Sequence, residues 1–361
     1  MGQVKVLVVG SWFSTTYELP LYNAFKETCE TDKFAWCTYF GFTPLSNKIE
    51  TNGNFLLSIW YKFQNKFIIG PSVQKLNRDL KSKVDQFNPD LVLLYRPTHV
   101  LLEVVKHIKK NSLIFVYNND DPFTYKLPKY VYRNYFSILP FADWIYAYRP
   151  KNISDYSKLN FNNTSILLPN FLQEKHFPLP KIEKSLNVIF IGHFEDDGRD
   201  DAIKLLIEHL GQGIEIWGND WDKSRYYPFF VEYLKREIVP IFGEEYNKKI
   251  NQSKIALVFL SKINNDTYTR RCFEIPATKT FMLCESSIDM KTFFTQGVEA
   301  EYFSTAQELT QRVSYYLTNP DELDKVREAA FKRVYSDGHE IRDRARQILA
   351  DVKRIKESSS K

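Results

Sequence analysis

A run of polar residues, 261–270, leads into Arg271, Cys272, Phe273 and Glu274. Arg271 and Glu274 stand three apart, a spacing that puts both on one face of a helix. A guanidinium and a carboxylate placed this way can hold a nucleoside diphosphate. The first binds phosphate oxygens, and the second accepts from the ribose 2′- and 3′-hydroxyls. The same spacing also makes a surface salt bridge worth well under ~1 kcal/mol, and spacing alone leaves both readings open. A second candidate is the loop from Gly192 to Arg199. A glycine loop opening a helix presents backbone N–H groups to a phosphate, and Arg199 can add a bidentate contact. Glu195, Asp196, Asp197 and Asp200 would repel phosphate unless they cap the helix or face outward. A solvated turn before a capped helix fits these residues too, and a metal site built from the acids is a lesser alternative. Asp120 and Asp121 follow a strand-like run, at a strand end where ligand-binding residues tend to fall. Asp-Asp-Pro also makes an ordinary turn. Glu18 and His99 are weaker candidates, because a lone histidine is more often structural.

These residues need elements to position them. Residues 4–9 (VKVLVV) form an apolar strand ending at Gly10, with a helix expected over 17–29. Strands follow at 91–95 and 113–117, separated by helical spacing over 101–110. The stretch 177–185, with two prolines and a charge cluster, reads as a linker. The pattern then restarts, with strands at 187–192, 214–218, 239–243, 254–260 and 280–285. Helices are expected at 201–210, after 243, near 270–277, and near 305–317, 321–335 and 339–356. Continuous apolar strands alternating with helices imply parallel sheets covered on both faces. In such sheets ligands bind beyond the strands' carboxyl ends, which is where the candidate residues fall. Two doubly wound units facing each other would line one cleft with those ends.

Composition narrows the class. The chain has 361 residues, which at about 150 per domain suggests two domains. A hydrophobic share of 43% excludes a disordered or collagen-like chain. A net charge of +5 is too slight to imply nucleic-acid binding. The four cysteines, at 29, 37, 272 and 284, have no C-x-x-C spacing, so no zinc knuckle or thioredoxin-type site is indicated. The opening MGQVKVLVVG reads as a strand, not a signal peptide, and a cytoplasmic location is expected. The apolar stretch 55–70 is interrupted by Lys62 and Lys66 and is too short to span a bilayer. It fits the core or the lip of a binding site, with docking on a membrane or a lipid-linked ligand as the alternative.

The ordered motifs resemble a known family. RRCFEIPA followed by TFMLCE is similar to the R-x-F-E-x-x-A…F-L-x-x-E core of the CgeB-like glycosyltransferases, which share the "glycosyl transferases group 1" C-terminal domain. IFIGHFEDDGR (189–199), IWGNDW (216–221), FGEEYNKKINQSKIAL (242–257), GVEAEYF (297–303) and GHEIRDRARQIL (338–349) follow the same pattern in order. NPDLVLLYRP (88–97) and FVYNNDDPF (115–123) resemble the N-terminal half. The resemblance covers most of the chain and is strongest over 187–345. It departs where many members have a glycine after the F-E-x-x-A run, since Thr278, Lys279 and Thr280 stand here.

The resemblance implies an α/β GT-B fold. An N-terminal Rossmann-like acceptor domain would span 1–178 and a C-terminal nucleotide-sugar domain 186–335. Residues 336–361 would form a helix returning to the first domain and a short tail. Related retaining GT-B enzymes carry an E-x7-E pattern, in which Glu274 matches the second position, which contacts the donor ribose. Asp266 would take the first, toward the donor sugar. Gly243 matches the loop that holds the nucleobase, Gly192 and Arg199 the diphosphate region, and Asp120 and Asp121 a position near the donor sugar or acceptor hydroxyl. The implied function is a hexosyltransferase-type enzyme needing no metal or cofactor beyond a nucleotide-sugar donor, with UDP as nucleotide and retention of configuration. Its partners would be that donor and a glycan, lipid-linked or protein acceptor, with no nucleic acid. The alternatives are a nucleotide-sugar epimerase of the same fold and a non-catalytic surface or spore-coat protein.

Overall fold

The structure is a computed structural model that describes residues 3–46, 48–51, 53–125 and 127–359. The chain divides into two compact units, residues 1–168 with 341–361, and residues 169–340.

The first unit is built on six parallel strands, β1 (Lys5–Gly10), β2 (Glu30–Ala35), β3 (Leu91–Tyr95), β4 (Leu113–Asn118), β5 (Trp144–Ala147) and β6 (Thr164–Ile166). Their order across the sheet is β2-β1-β3-β4-β5-β6. Helices α1 (Glu18–Lys26), α2 (Phe55–Phe67), α3 (Pro71–Phe87), α4 (Leu102–Ile108), α5 (Arg133–Ile138) and α6 (Pro150–Lys158) complete it. Apolar residues of the central strands, among them Leu7, Val92, Leu94 and Ile114, pack on Val73, Leu76 and Leu80 of α3 and on Val104 and Ile108 of α4. On α3 these apolar residues recur at helical spacing, and Pro71 opens the helix where its missing N–H costs nothing. β2 was not expected from its sequence, ETDKFA. Its charges are tolerated because it is an edge strand, paired only with β1.

The second unit carries β7 (Leu186–Ile191), β8 (Ile214–Trp217), β9 (Ser253–Val258), β10 (Phe281–Glu285) and β11 (Glu301–Phe303), all parallel, in the order β11-β10-β9-β7-β8. Its helices are α7 (Arg199–Leu210), α8 (Tyr227–Leu234), α9 (Gly243–Gln252), α10 (Arg271–Ala277), α11 (Met290–Phe293), α12 (Ala306–Thr318) and α13 (Pro320–Ser336). Val188, Phe190, Leu257 and Leu283 of the sheet meet Ile203 and Leu206 of α7 and Leu309 and Val313 of α12. Counted from its own first strand, each sheet runs second, first, third, fourth, fifth, and the first sheet adds a sixth. The strand order therefore reverses beside β1 in one unit and beside β7 in the other.

Three expectations are corrected. Residues 239–243 form no strand, because Pro240 cannot donate to a ladder. Val239 instead accepts one bond from the Gly218 N–H (3.1 Å). The stretch 177–185 lies within the second unit. The backbone N–H groups of Phe177 and Leu179 bond the side chains of Asn247 and Asn251 (3.2 and 2.8 Å), and Lys184 Nζ donates to the Ser253 carbonyl (2.8 Å). The units part at 168/169, and the second crossing falls at 340/341 rather than after 335.

The last helix, Ile341–Ser359, belongs to the first unit. Tyr146 Oη donates to Asp351 (2.7 Å), Gln347 Nε2 to the Ile166 carbonyl (2.9 Å) and Arg342 Nε to Glu27 (2.9 Å). Among the described residues no helix is long and apolar enough to cross a membrane.

Candidate functional site

In the second unit the strand order switches between β7 and β9, and the loops after these two strands carry the residues singled out above. After β7 the Gly192 N–H donates to the Trp217 carbonyl (2.8 Å), and its own carbonyl accepts from Trp221 Nε1 (2.9 Å). Gly218 sits so close that a Cβ there would lie 1.9 Å from the Gly192 oxygen. Only glycine fits.

Arg199 is buried, not directed at a ligand. Its Nε and Nη2 donate to both oxygens of Asp197 (2.8 and 2.7 Å), and Nη1 donates to the His193 carbonyl (2.8 Å). The expected phosphate contact is thus replaced by a fork that closes the 193–199 turn. Among the four acids of this loop, two also have internal partners. Asp200 accepts from Ser224 Oγ (2.7 Å), and Glu195 Oε1 meets His193 Nε2 at 2.8 Å. Burial pushes the Glu195 carboxyl up. Hydrogen bonds from His193 and Ser261 and the Arg199 charge outweigh it, and the pKa falls to about 2. Ser261 lies in the loop after β9, so Glu195 ties the two loops at the switch point together.

The loop after β9 is held at its start by Glu285, which accepts from the Leu260 N–H (2.9 Å). Asp266 lies in this loop, half-buried, with its N–H on the Ser261 carbonyl (2.9 Å). The loop ends at α10. Glu274 is buried there. Arg270 Nε and Tyr246 Oη donate to its two oxygens (3.1 and 2.9 Å), and His176 Nε2 stands 3.8 Å away. Burial would raise its pKa, but His176, Arg270 and Tyr246 hold it below the ordinary carboxylate value. His176 accepts the Leu172 N–H at Nδ1 (3.0 Å), which leaves Nε2 toward Glu274. Burial keeps this imidazole below its usual pKa.

Arg271 does not pair with Glu274. The ion pair to that carboxylate runs i,i+4 from Arg270. Among the described residues Arg271 makes no ion pair, and its Nε is buried with no hydrogen-bond partner. A desolvated guanidinium donor without an acceptor is costly. It is the kind of group a phosphate oxygen satisfies. Gly243 opens α9 at φ +59°, a left-handed conformation that favours glycine.

In the first unit the neighbouring carboxylates part company. Asp121 is fully buried and accepts from the Phe123 N–H (3.0 Å) and Asn152 Nδ2 (2.8 Å), closing the turn. Asp120 is partly exposed and pairs with Arg96 Nη2 at 2.6 Å. Glu18 is buried. Its Oε1 accepts from Ser11 Oγ (2.9 Å) and the Trp12 N–H (3.1 Å), and its Oε2 has no partner. His99 stacks on Trp36 (4.0 Å between ring centroids), and burial drives its pKa down to about 3. It is a neutral core group.

Residues 199–350 match the family described as "glycosyl transferase-like". No curated protein matches the chain. Among solved structures, sucrose-phosphate synthase from Thermosynechococcus elongatus aligns with a TM-score of 0.68 at 10% identity, over 99% of this chain and 100% of that one. HepE from Anabaena, in complex with UDP and glucose, aligns at 0.64 and 12% identity, over 97% and 99%. A putative UDP-N-acetylglucosamine 2-epimerase from Listeria monocytogenes aligns at 0.56 and 12%, over 99% and 98%. The fold is GT-B.

Within this GT-B chain the sequence singled out Arg271, Glu274 and Asp266, and all three fall on the loop and helix that follow β9. It missed Arg270, Tyr246 and His176, which hold Glu274 in place. The signal for Arg270 was its i,i+4 spacing to Glu274. Tyr246 and His176 come from distant segments and carried none.

Proposed function

We propose that the chain is a glycosyltransferase whose second unit binds a UDP-sugar and whose first unit presents an acceptor hydroxyl. The observation that carries this is the Arg271 guanidinium. It is unpaired and partly desolvated, one turn from a buried carboxylate held in its charged form. In the proposed complex Arg271 binds the diphosphate and Glu274 the ribose hydroxyls. Asp266 faces the donor sugar, and the backbone at Gly243 meets the base. The bond from the sugar's anomeric carbon to the diphosphate breaks, its electron pair leaves with the diphosphate, and Arg271 stabilises that charge. The acceptor oxygen forms the new bond. Its proton passes to the departing phosphate oxygen if configuration is retained, which the Asp266–Glu274 spacing favours. If configuration is inverted, a general base takes that proton instead. The positive charge comes from the protein, and no metal is invoked.

Thermal shift and calorimetry with UDP and UDP-glucose test this reading, since a donor that binds the folded chain raises its Tm. Wild type that folds but binds no nucleotide supports the coat-protein alternative. Conversion of a UDP-sugar to its epimer without acceptor supports the epimerase, which has only a likeness of fold in its favour. The anomeric configuration of the product, read by NMR, decides retention.

A further inference from the structure

The helix α2 is amphipathic in the inverted sense. Its solvent side carries Phe55, Leu56, Ile59, Trp60 and Phe63, all exposed, with Phe55 and Leu56 at 74% and 76%. At 100° per residue these five fall within an arc of roughly 140°. Its inward side is mixed: Tyr61 packs on the core, but polar Gln64 and Asn65 lie beside it and are held by specific bonds. Gln64 is 1% exposed and accepts the Ser72 N–H at Oε1 (2.9 Å), and the Asn65 carbonyl contacts His99 Nε2 (3.2 Å). Arg133 clamps the helix end by donating to the Phe67 and Ile68 carbonyls (3.1 and 2.6 Å). Asn54 caps the start, accepting the Leu57 N–H (3.0 Å). Rotating the helix to bury its aromatic face would strand Gln64 and break these bonds, so the apolar face is held outward by design of the contacts beneath it.

The charge around this face is one-sided. Along α2 itself, residues 55–67, there is no Asp or Glu, and the charged residues are Lys62 and Lys66. Lys62 and Lys66 are exposed and lie at one margin of the apolar arc. Aromatic and aliphatic side chains on one face with lysines beside them suit a helix lying in the headgroup–acyl boundary of a bilayer. A lysine near an anionic leaflet is attracted to it, and the attraction is screened by salt. We infer that α2 docks this protein onto an anionic lipid surface, with Phe55, Leu56, Ile59, Trp60 and Phe63 inserted and Lys62 and Lys66 on the headgroups.

Sedimentation of the full chain with vesicles tests this. One set contains phosphatidylcholine alone, and the other has phosphatidylglycerol added. The chain is expected to bind the anionic vesicles, less at high salt. The double variant I59E/F63E should lose that binding at least about tenfold, and K62Q/K66Q should weaken it on anionic vesicles only. Both variants alter exposed side chains, so circular dichroism and Tm should match wild type. Three results would overturn the inference: no wild-type binding to anionic vesicles at low salt, equal binding by I59E/F63E, or a wild-type dimer that I59E/F63E dissociates. The last would assign the face to a second copy of the chain. UDP binding is measured on the same samples, so failure here and failure of the donor reading are separate outcomes.

Discussion

Two adjacent arginines at the start of α10 have different work. Arg270 is committed to Glu274, whereas Arg271 makes no ion pair among the described residues and keeps a buried Nε without an acceptor. Arg271→Ala should therefore weaken UDP binding by about 1.5–3 kcal/mol, tenfold or more, while leaving Tm nearly unchanged. Arg270→Ala should lower Tm, because it removes a charge partner from a buried carboxylate. Calorimetry and thermal melts on both variants check the contrast. Histidine 99 makes a second test at this scale. Its pKa is lowered in the fold to about 3, from about 6.5 when unfolded, so the unfolded chain binds the extra proton between those values. Stability is full above pH 6.5 and falls as pH drops, by about 2 kcal/mol at pH 5. Denaturant melts should show that slope, and His99→Gln should flatten it. Glu195 has the opposite origin and the same acid consequence. Its depressed carboxyl contributes above its unfolded pKa and loses that contribution as pH falls toward about 2.

The elements that position the donor residues depend on backbone proximity. β7 and β8 end with the Gly192 carbonyl lodged against Gly218, at φ +152°. Gly218→Ala would force the two strand ends apart and is expected to cost about 3 kcal/mol or more, visible as a fall in Tm. It should also reduce UDP affinity, because the loop that Glu195 ties to Ser261 shifts with them. An alanine at the open Gly211 should cost less, about 1 kcal/mol, since only its positive φ resists.

The chain as a whole leaves its first unit, builds the second, and ends in a helix on the first. That helix contributes buried Ile348 and Val352 and the Tyr146–Asp351 bond. A chain stopped after residue 340 should lose the first unit's melting transition, or show it at much lower temperature. The second unit, whose core lies within 169–340, should still bind UDP. Differential scanning calorimetry with and without UDP resolves the two transitions.

The class of fold could be read from the residues alone, as could the clustering of polar residues after one strand. Apolar runs such as VKVLVV and KIALVFL are strands because parallel sheets bury both faces, and polar residues at their ends mark ligand loops. Local spacing could not say which arginine meets Glu274, since i,i+3 and i,i+4 partners compete on one helix. It could not show that Arg199 would be consumed by Asp197, nor that Asp121 would be buried while Asp120 was not. Tyr246 and His176 reach Glu274 from segments far apart in the chain, so only folding brings them there. β2 could not be read because an edge strand tolerates charge, and for residues 55–70 the core and membrane readings both stayed open because periodicity gives the width of a stripe but not the side it faces. Short-range pattern determined the layers. Which polar groups are satisfied, and which are left to bind, was decided by contacts that exist only in three dimensions.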